Sequence, residues 1–375
     1  MTKYSIETLC VQAGYKPKNG EPRILPIYQS TTYQYDSADH VGDLFDLKQE
    51  GHMYSRISNP TLSVLEEKVA TLENGVGALS TSSGQSANLI AILTIAKQGD
   101  NIIAFNNIYG GSFNLLNSTL RDLGIETRFV KFDASDEEIA ALIDENTKLI
   151  FGESLSNPKV EVLDIERIAN VAHKHFIPLI IDNTFPTPVL LRPFEFGADI
   201  VTHSTTKYLD GHATSVGGMI VDSGQFDWRK GNFPSLINKD PNYHGISYTE
   251  NFKEQAYITR ARVVFLRDLG STMSPQNAFL TNLGIETLAL RMEKHSQNAL
   301  EVAKYLNKHK DVEWVNYPLL ESNKGYDLAQ KYLKDGGSGI ISFGVKGGVE
   351  EGKKFIDSLK LASLVVHVGD IRTHV

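Results

Sequence analysis

The chain has 375 residues, of which 41% are apolar, and its formal net charge at pH 7 is −8. This length is typical of two or three domains, and the apolar content is sufficient to build hydrophobic cores. The negative charge and the lack of a long basic run argue against a nucleic-acid partner.

The N-terminal sequence MTKYSIETLCVQAG contains no apolar run of signal-peptide length. Apolar stretches such as NLIAILTIA are shorter than the roughly 18 residues that a membrane-spanning helix needs. The one cysteine, Cys10, has no partner for an internal disulfide and no nearby base in the sequence. We therefore expect a cytoplasmic protein without a membrane partner, and we expect no catalytic role for Cys10.

From Gly77 onward, short apolar runs alternate with segments of helical periodicity. The strand-like runs are GALSTSS, NIIAF, KLIFGES, PLIID and the run that ends FGADIVTHS. Helical patterns such as GQSANLIAILTIAKQG and IERIANVAHKHF separate them. This alternation predicts βαβ units, and hence an α/β fold with a mostly parallel central sheet flanked by helices.

Residues 222–252 interrupt this pattern with 31 polar, turn-rich positions. A loop of this length inside a compact domain is unusual and often functional. Beyond it, NLGIETLALRMEKHSQNALEVAKYLNKH has helical periodicity, and GIISFGV, GVEEGKKFIDSLK and LASLVVHV predict a further strand, helix and strand. We therefore predict a second, smaller α/β domain in the C-terminal part of the chain.

Polar residues follow the predicted strands, where ligands bind in open α/β sheets. Gly84 and Gln85 open a helix after the first strand, so free backbone N–H groups there can bind phosphate; a bare helix cap is the alternative. Asp182 follows PLII and can hold a metal, a ribose or a protonated pyridine nitrogen, or can simply cap a turn. The sequence alone leaves these alternatives open.

Lys207 follows the run DIVTHS, and the hydroxyls of Ser204 and Thr206 precede it. Three strand ends thus offer an anion site, a carboxylate and a lysine. Pyridoxal phosphate requires these three functions: a phosphate site, an acid that keeps its pyridine nitrogen protonated, and an amine that binds its aldehyde. The combination favours a pyridoxal-phosphate site over an ordinary exposed loop.

Other chemistries match the sequence less well. Residues 204–207 also fit S-x-x-K, but the S-D-N and K-T-G elements that accompany this motif in β-lactamases are absent. The sequence contains no G-x-x-x-x-G-K-[ST], and no G-x-G-x-x-G that follows a strand. His203 and His212 lack a Cys or His pair at ligand spacing, so we expect structural roles and no metal.

Six segments resemble, in order, the signature blocks of the Cys/Met-metabolism pyridoxal-phosphate enzymes, the transsulfuration family. They are YSRISNPT at 54–61, SSGQSA at 82–87, NNIYGGSF at 106–113, ESLSNP at 153–158, IIDNTF at 180–185 and THSTTKYLDGH at 202–212. The resemblance covers essentially the whole chain, and the order of the blocks makes it specific. It implies the aspartate-aminotransferase-like fold, known as fold type I.

The resemblance implies a role for each matching residue. Lys207 would bind the cofactor covalently and later transfer a proton, and Asp182 would pair with the pyridine nitrogen. Tyr109 would stack on the cofactor ring as a second catalytic residue. Asn157 would contact the phenolic oxygen of the cofactor and the substrate carboxylate.

The phosphate contacts follow from the same resemblance. They would come from the backbone of Gly84 and Gln85, from the hydroxyls of Ser204 and Thr206, and from Tyr54 and Arg56 of a neighbouring subunit. The planar guanidinium of Arg56 suits a phosphate contact because it can bind two phosphate oxygens at once. Active sites would then be shared between chains, in a homotetramer built from dimers. Gln85 stands where many family members have Met, which matters little if the backbone binds the phosphate.

The resemblance also implies a domain division: an N-terminal arm (1–60) that reaches the neighbouring site, a large cofactor-binding domain (61–255) and a C-terminal domain (256–375). HVGDIRTHV resembles the point where the family continues into a His-Pro-Ala turn and an arginine that binds the substrate carboxylate. That arginine is expected beyond Val375, so we expect the C-terminal domain to be incomplete. Arg372 occupies a different motif position, and the role is not transferred to it.

The family divides into γ-replacement enzymes and elimination enzymes. The insert at 222–252 resembles one in O-acetylhomoserine sulfhydrylases, and Gly111 stands where methionine γ-lyase has cysteine. The implied reaction replaces the acetate of O-acetyl-L-homoserine by sulfide and gives homocysteine for methionine biosynthesis. The alternatives are a cystathionine γ-synthase, a methionine or cystathionine γ-lyase, and, from another class, a pyridoxal-phosphate-binding scaffold without turnover.

Overall fold

The computed structural model describes residues 4–375. The α-helices are α1 Ile6–Gln12, α2 Ala38–Phe45, α3 Pro60–Glu73, α4 Gly84–Leu93, α5 Gly110–Asn114, α6 Leu120–Asp122, α7 Asp136–Ala140, α8 Ile165–Lys174, α9 Thr187–Leu190, α10 Pro234–Ile237, α11 Tyr248–Asn251, α12 Ala256–Arg260, α13 Arg267–Leu269, α14 Pro275–Glu286, α15 Leu288–Asn307, α16 Tyr326–Tyr332 and α17 Gly348–Ser358. The strands are β1 Gly77–Thr81, β2 Asn101–Phe105, β3 Glu126–Val130, β4 Thr147–Glu153, β5 Leu179–Asp182, β6 Ile200–Ser204, β7 Gly218–Asp222, β8 Val312–Asn316 and β9 Ser342–Val345.

Strands β1 to β7 form one seven-stranded sheet in the order β1-β7-β6-β5-β4-β2-β3. Strand β7 runs antiparallel to both β1 and β6, whereas the remaining neighbours are parallel. Strands β8 and β9 form a separate antiparallel pair. The sheet confirms the predicted mostly parallel α/β architecture.

The central strands are buried on both faces of the sheet. In β2, Ile103 and Phe105 belong to the hydrophobic core on one face, and Ile102 and Ala104 belong to the core on the other. Side chains alternate between faces along a strand, so a strand covered by helices on both sides must be apolar throughout. This burial explains the apolar run IIAF of β2. Parallel pairing brings the carboxyl ends of β4, β5 and β6 to one edge of the sheet. Among residues 4–375, no helix is long and apolar enough to cross a membrane.

Two helices that flank β1 begin at capped turns. The Asn59 side chain accepts a hydrogen bond from the Thr61 N–H at 2.9 Å, and Pro60 is the first residue of α3. The Ser83 hydroxyl accepts from the Ser86 N–H at 3.1 Å, which starts α4 directly after β1. The positive end of α4 therefore points to the carboxyl edge of the sheet.

The segment 222–252 is not an open loop. It contains the short helices α10 and α11, and large side chains anchor it in the core beside the sheet. The buried anchors are Trp228, Phe233, Leu236, Tyr243 and Tyr248. Their irregular spacing among polar and turn-forming residues gives no helical or strand periodicity, which is why the sequence indicated a loop.

The strand predicted for LASLVVHV is wrong. Residues 361–368 form no strand, and the only bridge described there is an isolated one between Ser363 and His374. Val366 is fully exposed. The N–H groups of Ser363 and Val365 donate to the carbonyls of Thr373 and Val375, but this contact amounts to one isolated bridge. An apolar run becomes a strand only where a partner satisfies its backbone groups along its length, and here the contact covers residues 363–365 alone.

Asp222, at the end of β7, is a buried carboxyl whose Oδ2 has no hydrogen-bond partner among the described residues. Burial raises the pKa of Asp222 from 3.8 to about 7. The folded-state pKa lies above the unfolded-state value, so the native state binds more protons between these two pKa values. The free energy of unfolding therefore falls as pH rises from the lower pKa to the higher one.

We therefore expect Asp222→Asn to raise the melting temperature, with a gain that grows from pH 4 to pH 7 and reaches about 3 °C or more at pH 8. Thermal unfolding of both proteins across this pH range measures the effect. Asp227→Asn is the control, because the carboxylate of Asp227 is paired with Arg229 at the surface. A gain that does not change with pH would contradict the assignment.

Candidate active site

A cavity of about 460 Å³ lies at the carboxyl ends of β4, β5 and β6. Most of the residues that the sequence predicted for the site line it. They are Gly84, Gln85, Tyr109, Asn157, Asp182, Ser204, Thr206 and Lys207. The structure thus brings together residues from five separate segments of the chain.

One end of the cavity is formed by the start of α4. The N–H groups of Gly84 and Gln85 lie in its first turn, where a helix offers no internal acceptor. A Cβ atom on Gly84 would lie 2.6 Å from Cβ of Ser204, so only glycine allows the helix to approach the end of β6 this closely. The two free N–H groups, the helix dipole and the adjacent Ser204 hydroxyl make an anion site.

Asp182 is held in a fixed orientation at the end of β5. Its Oδ1 accepts from the N–H of Thr184 at 3.1 Å and from the hydroxyl of Thr184 at 2.5 Å. Its Oδ2 accepts from Nδ2 of Asn88 at 3.3 Å, and Asn88 in turn accepts from the Thr202 hydroxyl at 2.6 Å. A carboxylate fixed in this way is suited to accept a hydrogen bond from a protonated ring nitrogen.

Lys207 lies on the turn that follows β6, where its N–H donates to the carbonyl of Ser204 at 3.2 Å. Its side chain lines the cavity, and its Nζ has no hydrogen-bond or ion-pair partner in the described part of the chain. Burial lowers the pKa of the Lys207 ammonium. A lower pKa increases the fraction of neutral amine, which is the form that attacks a carbonyl.

Tyr109 and Asn157 stand on two loops that border the cavity. Tyr109 precedes α5, and its side chain is 49% exposed. Both residues donate their main-chain N–H to Glu153, the last residue of β4. Burial, together with the charge of Asp182, raises the pKa of Glu153 well above its ordinary value.

Sequence reasoning missed several polar residues of the cavity wall. They are Ser83, Asn88, Ser112, Glu153, Thr184 and His367. Glu153 ends a strand, so the strand-end argument that selected Asp182 would also have selected it. Asn88 lies within α4, and no local signal in the sequence indicates that it faces Asp182.

Tyr54 and Arg56 lie outside this cavity. Both side chains are exposed, and the Arg56 guanidinium lies 5.4 Å from the centre of the Tyr54 ring. Arg56 also donates to the main-chain carbonyl of Arg267. Their predicted contact with a neighbouring subunit stays a prediction, because the structure contains one chain.

The histidines beside the site are held by protein groups. Nε2 of the buried His203 donates to Oε1 of Glu73 at 2.7 Å, and the same oxygen accepts from Asn183 at 3.0 Å. His212 contacts the carbonyl of Asp210 through Nδ1.

Within residues 4–375, no three His, Cys, Asp or Glu side chains are grouped as metal ligands. Cys10 is buried, and burial raises the pKa of its thiol to about 11.

The donor set of the cavity fits pyridoxal phosphate. The helix start offers the anion site, Asp182 offers an oriented carboxylate, and Lys207 offers an amine of lowered pKa. In addition, Oε1 of Gln85 is buried at the wall with no partner among the described residues. A cavity that leaves such polar groups unpaired is suited to a ligand that can pair with them.

The family described as Cys/Met metabolism PLP-dependent enzyme matches residues 7–375. The chain belongs to this family. The match confirms the resemblance found in the sequence and makes the protein a pyridoxal-phosphate-dependent enzyme of the Cys/Met metabolism family.

Known members of the Cys/Met metabolism family are similar to this chain along almost its full length. A homocysteine synthase of Schizosaccharomyces pombe is 49% identical over 98% of this chain and 86% of its own length. An O-acetyl-L-homoserine sulfhydrylase of Leptospira meyeri is 46% identical over 98% of this chain and 85% of its own. These identities are high enough for a shared fold along the aligned region.

A crystal structure from Campylobacter jejuni superposes with a TM-score of 0.95 at 40% identity, over 99% of this chain and 92% of that one. It is named as an O-acetylhomoserine (thiol)-lyase and contains N'-pyridoxyl-lysine-5'-monophosphate. The superposition confirms the predicted aspartate-aminotransferase-like fold for this member of the Cys/Met metabolism family.

Proposed function

We propose that the enzyme catalyses γ-replacement on O-acetyl-L-homoserine, with sulfide as the nucleophile and L-homocysteine as the product. The observation that carries this proposal is its nearly full-length similarity, at 43–49% identity, to relatives named homocysteine synthase or O-acetyl-L-homoserine sulfhydrylase. A cystathionine γ-synthase and a γ-lyase are the alternatives within the family.

We assign each side chain of the cavity a task in this reaction. Bound pyridoxal phosphate supplies an electron sink for the substrate carbon atoms that lose protons. Lys207 would hold the cofactor, and its Nζ would accept and return substrate protons, because burial lowers its pKa and favours the neutral amine. Asp182 would keep the ring nitrogen protonated, and Tyr109 would cover the ring. The start of α4 and the hydroxyls of Ser204 and Thr206 would bind the phosphate, and Asn157 would orient the substrate.

The surroundings of Gly111 support the choice of reaction. A Cβ atom there would lie 2.4 Å from the Tyr109 ring and 2.8 Å from Nε2 of Gln85. A cysteine, which methionine γ-lyase is expected to carry at this position, would therefore displace Tyr109 or Gln85. No described residue of the insert at 222–252 lines the cavity, so the insert supports the proposal only through its resemblance to that of sulfhydrylases.

We also propose a homotetramer built from dimers with shared active sites. Tyr54 and Arg56 support the shared active sites, because both are exposed and lie apart from the cavity of their own chain.

The boundaries 1–60, 61–255 and 256–375 remain our proposal for the domains. Helix α3 begins at Pro60, and the large sheet lies within the second range. The cytoplasmic location stays a prediction from the sequence.

Substrate comparison tests the reaction. Initial rates are measured with O-acetyl-L-homoserine, O-succinyl-L-homoserine, cystathionine and methionine, each with and without sulfide. We expect homocysteine to form only with sulfide, with a kcat/KM at least about tenfold higher for the acetyl ester than for the succinyl ester. Rapid release of ammonia and a keto acid from methionine or cystathionine would instead identify a lyase. Cofactor binding without any product would favour the scaffold.

A further inference from the structure

Glu153 is a buried carboxyl on the cavity wall, and each of its oxygens accepts one main-chain hydrogen bond. Oε1 accepts from the N–H of Tyr109 at 2.8 Å, and Oε2 accepts from the N–H of Asn157 at 3.0 Å. The side chain is 8% exposed. Tyr109 belongs to the loop between β2 and α5, whereas Asn157 belongs to the loop after β4. One side chain therefore joins two loops that lie on the border of the same cavity.

The partners of Glu153 differ from those of Asp182, its neighbour in register on β5. Asp182 is held by the side chains of Thr184 and Asn88 as well as by one N–H. Both bonds of Glu153, in contrast, come from the backbone of the two loops. Bonds of this kind fix where a loop lies rather than how a side chain is oriented.

The Tyr109 N–H depends on this contact. It precedes the first turn of α5, so the helix supplies no acceptor for it, and Glu153 is the acceptor that the structure describes. The ring of Tyr109 is half-exposed, so the position of the ring follows the position of its backbone. A displacement of about 1 Å in a group that positions a reactant can lower a rate about 100-fold.

We propose that Glu153 is a positioning residue that sets the distance between Tyr109 and Asn157 across the cofactor cavity, and thereby the affinity for pyridoxal phosphate. The inference rests on the family's use of this cofactor and not on the identity of the substrate.

Glu153→Gln tests the proposal because it keeps the shape of the side chain. The new amide presents a donor to one of the two N–H groups, so one hydrogen bond is lost and two donors face each other. Glu161→Gln is the matched control. Oε2 of Glu161 accepts from Nδ2 of Asn107 at 3.0 Å and joins the same two loops without lining the cavity.

The cofactor-free proteins are titrated with pyridoxal phosphate, and the dissociation constant is read from absorbance. Hydrogen exchange of residues 106–112 and 154–160 is followed by mass spectrometry. For Glu153→Gln we expect a dissociation constant at least about tenfold higher and faster exchange in both segments. For Glu161→Gln we expect values close to those of the unmodified protein.

An unchanged dissociation constant in Glu153→Gln, or equal changes in both variants, would overturn the proposal. If Glu153→Gln does not fold, Glu153→Asp replaces it, since it keeps both oxygens and withdraws them by one carbon. Weaker cofactor binding by folded Glu153→Asp supports the proposal, and unchanged binding refutes it. None of these measurements uses a substrate, so they are independent of the proposed γ-replacement.

Discussion

Replacing Lys207 with alanine is expected to lower kcat by about 10⁴-fold or more, because the change removes the amine to which we assign both the cofactor linkage and proton transfer. The unmodified protein should be yellow. After borohydride reduction, peptide mapping should locate the pyridoxyl group on Lys207, whose amine lines the cavity and has a lowered pKa.

Lys131→Ala is a suitable control for this experiment, because Lys131 is exposed and lies outside the cavity. It should keep full activity and the same spectrum. Finding the pyridoxyl group on another lysine, or on none, would show that the site is assigned to the wrong residue.

Mixing two inactive variants is expected to restore activity if active sites are shared between chains. A dimer of one Lys207→Ala chain and one Arg56→Ala chain would contain one site with both native residues and one with neither. Random pairing of equal amounts makes about half of the dimers mixed, so about a quarter of the sites should be intact. Steady-state rates before and after subunit exchange measure the recovery.

Two controls accompany the mixing experiment. Each variant exchanged with itself should stay inactive. Exchange of Lys207→Ala with Arg267→Ala should show whether loss of a nearby, partly buried arginine has the same effect as loss of Arg56. No recovery in verified mixed dimers would mean that each chain completes its own site, and Tyr54 and Arg56 would then need another role.

The sequence was informative where burial on both faces of the sheet dictates composition. The runs IIAF and PLII are apolar for this reason, and the polar residue after PLII could be recognised as a strand end. Strand direction has no such signature: β7 is as buried as β4, yet it runs antiparallel to its neighbours. The sequence therefore predicted the layers of the fold better than the order of its strands.

The sequence likewise identified only some of the residues of the candidate site. Lys207 and Asp182 could be found because an amine and a carboxylate at strand ends suggest specific chemistry. Asn88 could not, because its contact with Asp182 joins residues 94 positions apart and depends on how α4 packs on the sheet. LASLVVHV was misjudged for a related reason: its apolar pattern is local, whereas strand formation depends on a partner.

The close approach of Gly84 to Ser204 has a consequence for how the protein is made. During synthesis, the start of α4 leaves the ribosome long before β6, so the proposed phosphate site is incomplete until β6 has docked beside α4. A ligand that requires both segments binds only chains in which β6 is already docked beside α4, and it stabilises those chains more as its free concentration rises. The cellular supply of pyridoxal phosphate would then affect how much of the newly made protein reaches its stable folded state.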